Sequence, residues 1–455
     1  MAAKTSYFCQ NCGTQHSKWK GQCNSCKKWN TLNEEVIEMK AVKVWETSND
    51  FSKTNKPLKL NEILSNKEKR IKLLDHEFNR VLGGGIVPGS VLLLGGDPGI
   101  GKSTLMLQIA LQLNFNIVYV SGEESQNQIK LRASRMAYKN SECYILCETN
   151  TKNIFHQIKQ LKPKLLIVDS IQTLESEIIP NSAGSVSQIK QTASELISFA
   201  KITNIPVFLI GHITKGGDIA GPKILEHMVD TVIHFEGDTN NIFRILRAKK
   251  NRFGPTDEIG IYEMVSEGLK GVKNPSELLL SNNKDKLIGQ AIGPTVEGIR
   301  PFLVEIQALV SSAVYGTPQR SSTGFNTKRL NMLLAVLEKK AGFALGSKDV
   351  FINITGGISI DDPAMDLAVI IAILSSHYDI SINSSFCFAA EIGLSGELRP
   401  VSKINLRVQE AYKLGFESIY VAKNSKIELP KTGIKINYMK EIEDVVKKFF
   451  SKNIN

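Results

Sequence analysis

The run GGDPGIGKST at residues 95–104 fills every fixed position of the pattern G-x-x-x-x-G-K-[ST], with Gly96, Gly101, Lys102 and Ser103 in those places. Glycines at this spacing let consecutive backbone N–H groups turn inward around a chain of phosphates, and a helix starting there adds the positive end of its dipole. The phosphate-contact candidates are therefore Gly95, Gly96, Asp97, Pro98, Gly99, Ile100, Gly101, Lys102, Ser103 and Thr104. Lys102 would supply a point charge to the terminal phosphates and Ser103 a hydroxyl to Mg²⁺. A matching carboxylate ends the apolar run KLLIVDS, residues 164–170, where Asp169 would hold the metal through water. The run NIVYVSGEES, residues 116–125, ends in Glu123 and Glu124. Glu123 is the expected group for polarising the attacking water, against the alternative of two solvated loop acids. In IPVFLIGHITK, residues 205–215, His212 and Thr214 occupy a further strand tip, and His212 is either a γ-phosphate sensor or a hydrogen-bonded structural histidine. Together these residues predict binding and hydrolysis of ATP with Mg²⁺.

A second chemistry lies in the spacing Cys9-x2-Cys12-x10-Cys23-x2-Cys26. Two C-x-x-C turns supply four thiolates, the complement of a closed, tetrahedral Zn²⁺ site with no position open for catalysis. The segment is too short to fold on a hydrophobic core, so metal binding would supply most of its folding free energy. A redox dithiol, the alternative, normally uses one C-x-x-C within a larger domain. His16 is not required as a ligand. Around the second turn, SKWKGQCNSCKKWN interleaves Trp19 and Trp29 with Lys18, Lys20, Lys27 and Lys28. These residues either contact nucleic acid by stacking and phosphate pairing or cap the small core.

To position these groups the chain must supply parallel strands whose carboxyl ends meet at one edge. Short apolar runs alternate here with helical stretches such as STLMLQIALQL, the pattern of a doubly wound α/β core. A chain of 455 residues accommodates two substantial domains plus a small module. Its formal charge of +11 suits a phosphate-backbone partner without naming one. MAAKTSYFCQ lacks the apolar stretch of a secretory signal, and AVIIAIL at 368–374 is far too short to span a bilayer, so a cytoplasmic protein with no membrane partner is expected. Cys143, Cys147 and Cys387 are then free thiols. Residues 33–66 have little periodicity beyond LNEIL, 60–64, and are expected to be a linker with a docking peptide.

FNRVLGGGIVPGS, 78–90, with the loop that follows is similar to the opening of RecA-like ATPases. Taken in order, KWKGQC, CKKWN, GGDPGIGKST, YVSGEES, LLIVDSIQT and KKNRFG resemble the RadA (Sms) family of bacterial DNA-repair proteins along essentially the whole chain. That resemblance implies a DNA-dependent ATPase of homologous recombination and repair. It implies hexameric rings on single-stranded and branched DNA that extend recombination intermediates by branch migration, with the recombinase RecA and replication or repair helicases as candidate partners. Lys250, Asn251, Arg252, Phe253 and Gly254, beside Arg247 and Lys249, would bind DNA or act as a finger in trans on a neighbour's nucleotide; a solvated basic face is the alternative. In RecA-like proteins the loops corresponding to 175–186 and 214–225 line the DNA channel, and Lys215 and Lys223 would serve that purpose here, unless these are ordinary connections.

From about Lys286 the chain looks like the proteolytic domain of Lon. Residues 355–374 align with the segment bearing the nucleophilic serine and 393–411 with the one bearing its lysine, but Ala364 and Asn405 stand at those positions, and Ser359 and Lys403 lie out of register. A methyl group cannot attack a carbonyl and an amide cannot activate a hydroxyl, so an inactive scaffold is expected, with Arg320, Lys328 and Arg329 as candidate DNA contacts. The expected organisation is a C4 zinc finger (1–32), linker (33–66), RecA-like ATPase (67–271), linker (272–285) and an α+β, Lon-like domain of the ribosomal S5 domain 2-like type (286–455). Rival readings are an ATP-dependent protease, an ATP-gated signalling scaffold and a replicative-type ring helicase.

Overall fold

The computed structural model describes residues 4–9, 12–37, 59, 70–212, 224–237, 243–280, 287–313, 318–428 and 433–451. The chain divides into two compact units, residues 1–240 with 244–272, and residues 241–243 with 273–455.

The amino-terminal segment forms a small antiparallel sheet of β1 (Lys4–Cys9), β2 (Gln15–His16) and β3 (Leu32–Ile37), in the order β2-β1-β3. Strand β3 pairs with β1 along its whole length, from Cys9↔Leu32 to Lys4↔Ile37. The folded finger thus runs past residue 32, because closing the sheet requires a strand beyond the last cysteine. The peptide LNEIL lies outside the described residues.

The ATPase core follows as α1 (His76–Leu82), β4 (Val91–Gly96), α2 (Lys102–Gln112), β5 (Ile117–Ser121), α3 (Gln126–Ala133), β6 (Cys143–Cys147), α4 (Thr151–Leu161), β7 (Leu165–Asp169), α5 (Val186–Thr203), β8 (Val207–His212), α6 (Ile224–Met228), β9 (Thr231–Glu236), β10 (Phe243–Asn251), β11 (Ile259–Val265) and β12 (Gly268–Gly271). The strands form one nine-stranded sheet in the order β12-β11-β10-β9-β4-β8-β7-β5-β6. The six strands from β9 to β6 are parallel, and antiparallel pairs β9–β10 and β11–β12 extend that sheet. The period of two explains why its strands are unbroken apolar runs. Leu92 and Leu94 of β4, Ile117 and Tyr119 of β5, and Leu165 and Ile167 of β7 pack into the core shared with α2, whereas Val91, Leu93, Val118, Val120, Leu166 and Val168 pack into the core shared with α4 and α5. By the same alternation Asp169 falls on the α2 side, at the carboxyl edge where α/β sheets hold their ligands.

The second unit comprises α7 (Pro275–Leu279), β13 (Gln290–Glu297), β14 (Arg300–Ser312), β15 (Arg320–Thr323), α8 (Thr327–Ala341), β16 (Lys348–Ile354), α9 (Asp366–Tyr378), β17 (Phe386–Ala389), β18 (Glu391–Ile392), β19 (Leu398–Arg399), α10 (Ile404–Lys413), β20 (Ser418–Ala422), β21 (Lys435–Met439) and α11 (Ile442–Phe450). Part of the expected linker 272–285 is folded: α7 buries Ser276 and Leu279, and Leu303 N–H donates to Ser276 Oγ at 3.0 Å. Helix α9 is buried from Asp366 to Ser375, which accounts for the apolar run at 368–374: a helix hydrophobic on all sides belongs in a core.

Charge is also buried in this unit. Arg407 is inaccessible; its Nη1 donates to Asp362 Oδ2 at 2.6 Å and to Pro294 O at 2.7 Å, and its Nε donates to Ser402 O at 3.1 Å. Burial pushes the Asp362 carboxyl up, but Arg407 and the N–H groups of Ala364 and Val296 outweigh it and hold the group below its usual value of 3.8. A depressed carboxylate stabilises the fold above its unfolded pKa, and that contribution is lost as pH falls through the folded value. Arg407→Ala should therefore destabilise this unit by about 3–5 kcal/mol at neutral pH, because Asp362 is left buried and unpaired. The urea midpoint of its unfolding transition measures this, and the gap from wild type should narrow below about pH 4.

Candidate active site and metal centre

Strand β4 delivers the loop 97–101 to the start of α2. Gly99 and Gly101 have φ of 78° and 110°, left-handed values that turn the chain back over the helix end. Gly96 is required for space, since a Cβ there would lie 2.6 Å from Phe235 O. Unlike α1, α3, α4, α5 and α8, helix α2 starts without a side-chain cap, so its first N–H groups face the loop. Asp97, Pro98 and Gly99 are exposed at the rim, Ile100 is buried beneath, and Ser103 and Thr104 sit half-buried in the first helical turn. This cradle fits a phosphate chain.

Lys102 is buried, and its Nζ donates to Gly96 O at 2.7 Å and Asp97 O at 2.9 Å. Burial pushes the ammonium pKa down; Asp169, Asp97 and Glu123 counter it electrostatically. Three carboxylates thus act on one buried cation. The surrounding donors are hard oxygens from Ser103 and Asp169, the set that suits Mg²⁺.

The structure separates the two glutamates after β5. Glu123 Oε1 accepts from Ser170 Oγ at 2.6 Å, beside Asp169, whereas Glu124 is ion-paired with Arg132. The tips of β5 and β7 lie very close: Gly122 N–H donates to Asp169 O at 2.9 Å, and a Cβ on Gly122 would collide with Thr173 Oγ1 at 2.0 Å. Asp169 is buried and takes a 2.6 Å hydrogen bond on Oδ2 from the Tyr119 hydroxyl. His212 ends β8 opposite Gly96 in the register, which places its backbone at the same edge. Thr214, Lys215 and Lys223 lie outside the described residues. The loop 175–186 is pinned by Gln188, whose Nε2 donates to the carbonyls of Ser176, Ile179 and Asn181.

The basic cluster lies within and just after β10, and β11 and β12 follow it in the same sheet. Lys250 Nζ donates to the carbonyls of Glu226, His227 and Val229 at 2.9, 3.1 and 2.9 Å, capping the end of α6. Arg247 and Lys249 pair with Glu236. Asn251 Nδ2 reaches the carbonyls of Val81 and Leu82, Phe253 O accepts from Arg70, and a Cβ on Gly254 would lie 3.0 Å from Leu82 O. Arg252 contacts Asp230 at 3.2 Å but is about half exposed. In the second unit Arg329 is not a free cation: it pairs with the buried Asp366 at 2.6 Å and with Glu391 at 3.5 Å. Arg320 is half-buried on β15 and Lys328 exposed on α8. Ala364 is fully buried, Asn405 Oδ1 accepts from Glu428 N–H, Ser359 is exposed and Lys403 Nζ is bound by Gly298 O.

In the finger, the sulfurs of Cys9, Cys12, Cys23 and Cys26 lie within 4.8 Å of one another, with Cys9–Cys26 at 3.6 Å and Cys12–Cys23 at 3.5 Å. A tetrahedron with Zn–S bonds of about 2.3 Å has edges of about 3.8 Å, so the cluster fits Zn²⁺. Gly13 and Lys27 follow the second cysteine of each turn in the left-handed region, φ 70° and 60°, and donate N–H to the carbonyls of Cys9 and Cys23. His16 Nε2 lies 3.5 Å from Cys23 Sγ, outside the four-sulfur set. Trp19 and Trp29 are 58% and 69% exposed, so they do not cap the finger core.

Three family models match the chain: an AAA domain over residues 56–218, the subunit ChlI of Mg-chelatase over 307–425, and a rubredoxin metal binding domain over 7–34. The DNA repair protein RadA of Bacillus subtilis is 47% identical over 92% of this chain and 92% of its own length. That of Streptococcus pneumoniae is 49% identical over 92% of this chain and 100% of its own. This chain belongs to the DNA repair protein RadA family. Among solved structures, the RadB recombinase is 21% identical, covering 44% of this chain and 97% of its own, with a TM-score of 0.36. The RadA-family chain is thus a DNA-repair ATPase with a P-loop core, an N-terminal zinc ribbon and a C-terminal domain similar to ChlI.

Sequence reasoning did not single out Tyr119, Ser170, Arg132 or Asp230. Only Tyr119 leaves a trace, a hydroxyl-bearing ring between the aliphatic residues Ile117, Val118 and Val120 of β5. Protein prepared under reducing conditions should carry a stoichiometric zinc ion, and Cys23→Ala should release it and unfold the ribbon while nucleotide affinity stays unchanged. Metal analysis with a nucleotide titration checks both halves.

Proposed function

We propose that this RadA-family ATPase couples hydrolysis of Mg²⁺-bound ATP to movement along single-stranded DNA, extending branched recombination intermediates. The carrying observation is the meeting of Lys102, Asp169 and Glu123 at one sheet edge, with Glu124 turned away onto Arg132. Lys102 and the loop amides would hold the phosphates, Ser103 and Asp169 the metal, Glu123 the attacking water, and His212 is kept as the candidate sensor. Bound Mg²⁺ would supply neutralisation of the charge developing on the phosphoryl oxygens.

The reading includes a homo-oligomeric ring, hexameric as the family resemblance implies, in the cytoplasm, with RecA and replication or repair helicases as candidate partners. Arg252 is assigned the contact with DNA or with a neighbour's nucleotide, and Lys250 a supporting role at α6. The exposed Trp19 and Trp29 among lysines favour a stacking contact from the ribbon. The ChlI/Lon-like domain acts as a scaffold for assembly rather than as a peptidase, which is supported by a buried methyl at residue 364 and an amide at 405. Among the described residues no helix is long and apolar enough to cross a membrane.

Turnover measured with and without single-stranded DNA tests the reading. The strand should raise the rate severalfold, and its apparent affinity should fall at least tenfold between about 50 and 200 mM salt, as phosphate contacts require. Turnover indifferent to DNA would favour a signalling scaffold, and ATP-dependent degradation of casein would favour a protease.

A further inference from the structure

Asp169 meets a constraint that the phosphate loop does not relieve. A carboxylate that holds a metal through water must present one oxygen in a fixed direction, and a buried aspartate has two rotatable bonds with which to lose that direction. Strands β5 and β7 are adjacent and parallel, with Ser121 opposite Asp169 and Tyr119 opposite Ile167. Tyr119 therefore stands diagonally across from Asp169 on the same face, a separation that a long aromatic side chain spans. It does so here: the Tyr119 hydroxyl donates to Asp169 Oδ2 at 2.6 Å, and Tyr119 is itself buried against the α2 side of the sheet.

We infer that Tyr119 is a positioning residue for the metal site, its hydroxyl occupying Oδ2 of Asp169 so that Oδ1 is left directed at the metal's water shell. The inference rests on the assignment of Asp169 to Mg²⁺ made above. A carboxylate oxygen only accepts, so the phenol hydroxyl is the donor in this contact and holds Oδ2 in place. Deleting the hydroxyl frees the carboxylate to rotate while leaving the ring in the core. Partners of this kind, which orient a metal-holding group without touching the metal, typically change metal affinity by roughly 10–100-fold when lost.

The test reads binding rather than turnover. A fluorescent ADP analogue is titrated onto the full chain, first in EDTA and then at graded Mg²⁺, for wild type, Tyr119→Phe, Asp169→Asn and the double variant. In Tyr119→Phe the metal-free affinity should match wild type, while the Mg²⁺ concentration giving half-maximal tightening should rise roughly tenfold. In the Asp169→Asn background the same substitution should add nothing, because the group it orients is gone. An unchanged Mg²⁺ midpoint in Tyr119→Phe would overturn the inference. So would an equal loss of metal-free affinity, or a variant that does not fold, since the hydroxyl would then serve the fold rather than the metal. If wild type binds the analogue with no dependence on Mg²⁺ and Asp169→Asn changes nothing, the metal assignment itself fails.

Discussion

The ammonium of Lys102 is the charge around which the ATPase core is arranged. A cation buried in a protein interior is tolerated only when nearby oxygens compensate for lost water. Here two loop carbonyls bind it directly and three carboxylates act on it from Asp97, Glu123 and Asp169. Those acids come from three separate strand ends, which can meet only if β4, β5 and β7 run parallel and end at one level. The crossover helices, the sorting of strand residues into two cores and the glycines at 96 and 122 all serve that convergence.

The same problem of buried charge is handled differently in the other parts of the chain. The ribbon gathers four sulfurs whose thiolate charge a divalent cation would offset, and has almost no apolar core to fall back on. The second unit buries Arg407 against Asp362 and Asp366 against Arg329, pairs complete within the protein. Around Lys102 three carboxylates act on one buried cation, an excess of negative charge that a bound divalent metal would offset.

Much of this was legible in the residues. The phosphate loop, the strand-end acids and the four cysteines occur at spacings that have few other uses, whereas the different partners of the two adjacent glutamates, Ser170 for Glu123 and Arg132 for Glu124, appear only in the fold. What escaped was everything decided by partners distant in sequence. Lys250 reads as a free cation until the carbonyls of α6 arrive, and Arg329 reads as a DNA contact until Asp366 is folded beside it. The strand β3 and helix α7 were hidden for a related reason, since both occupy stretches that look like linker until a partner strand or core supplies the other half of the packing. Tyr119 reads as an ordinary strand residue until β7 brings Asp169 across from it.

The division of labour between the two adjacent glutamates offers the sharpest measurement. ATP affinity and turnover should be compared in Glu123→Gln and Glu124→Gln, which remove a charge from neighbouring residues while conserving shape. The account predicts that Glu123→Gln binds ATP as wild type does but hydrolyses it roughly 10²–10⁴-fold more slowly, while Glu124→Gln stays close to wild type. Equal losses in the two variants, or a larger loss in Glu124→Gln, would contradict it.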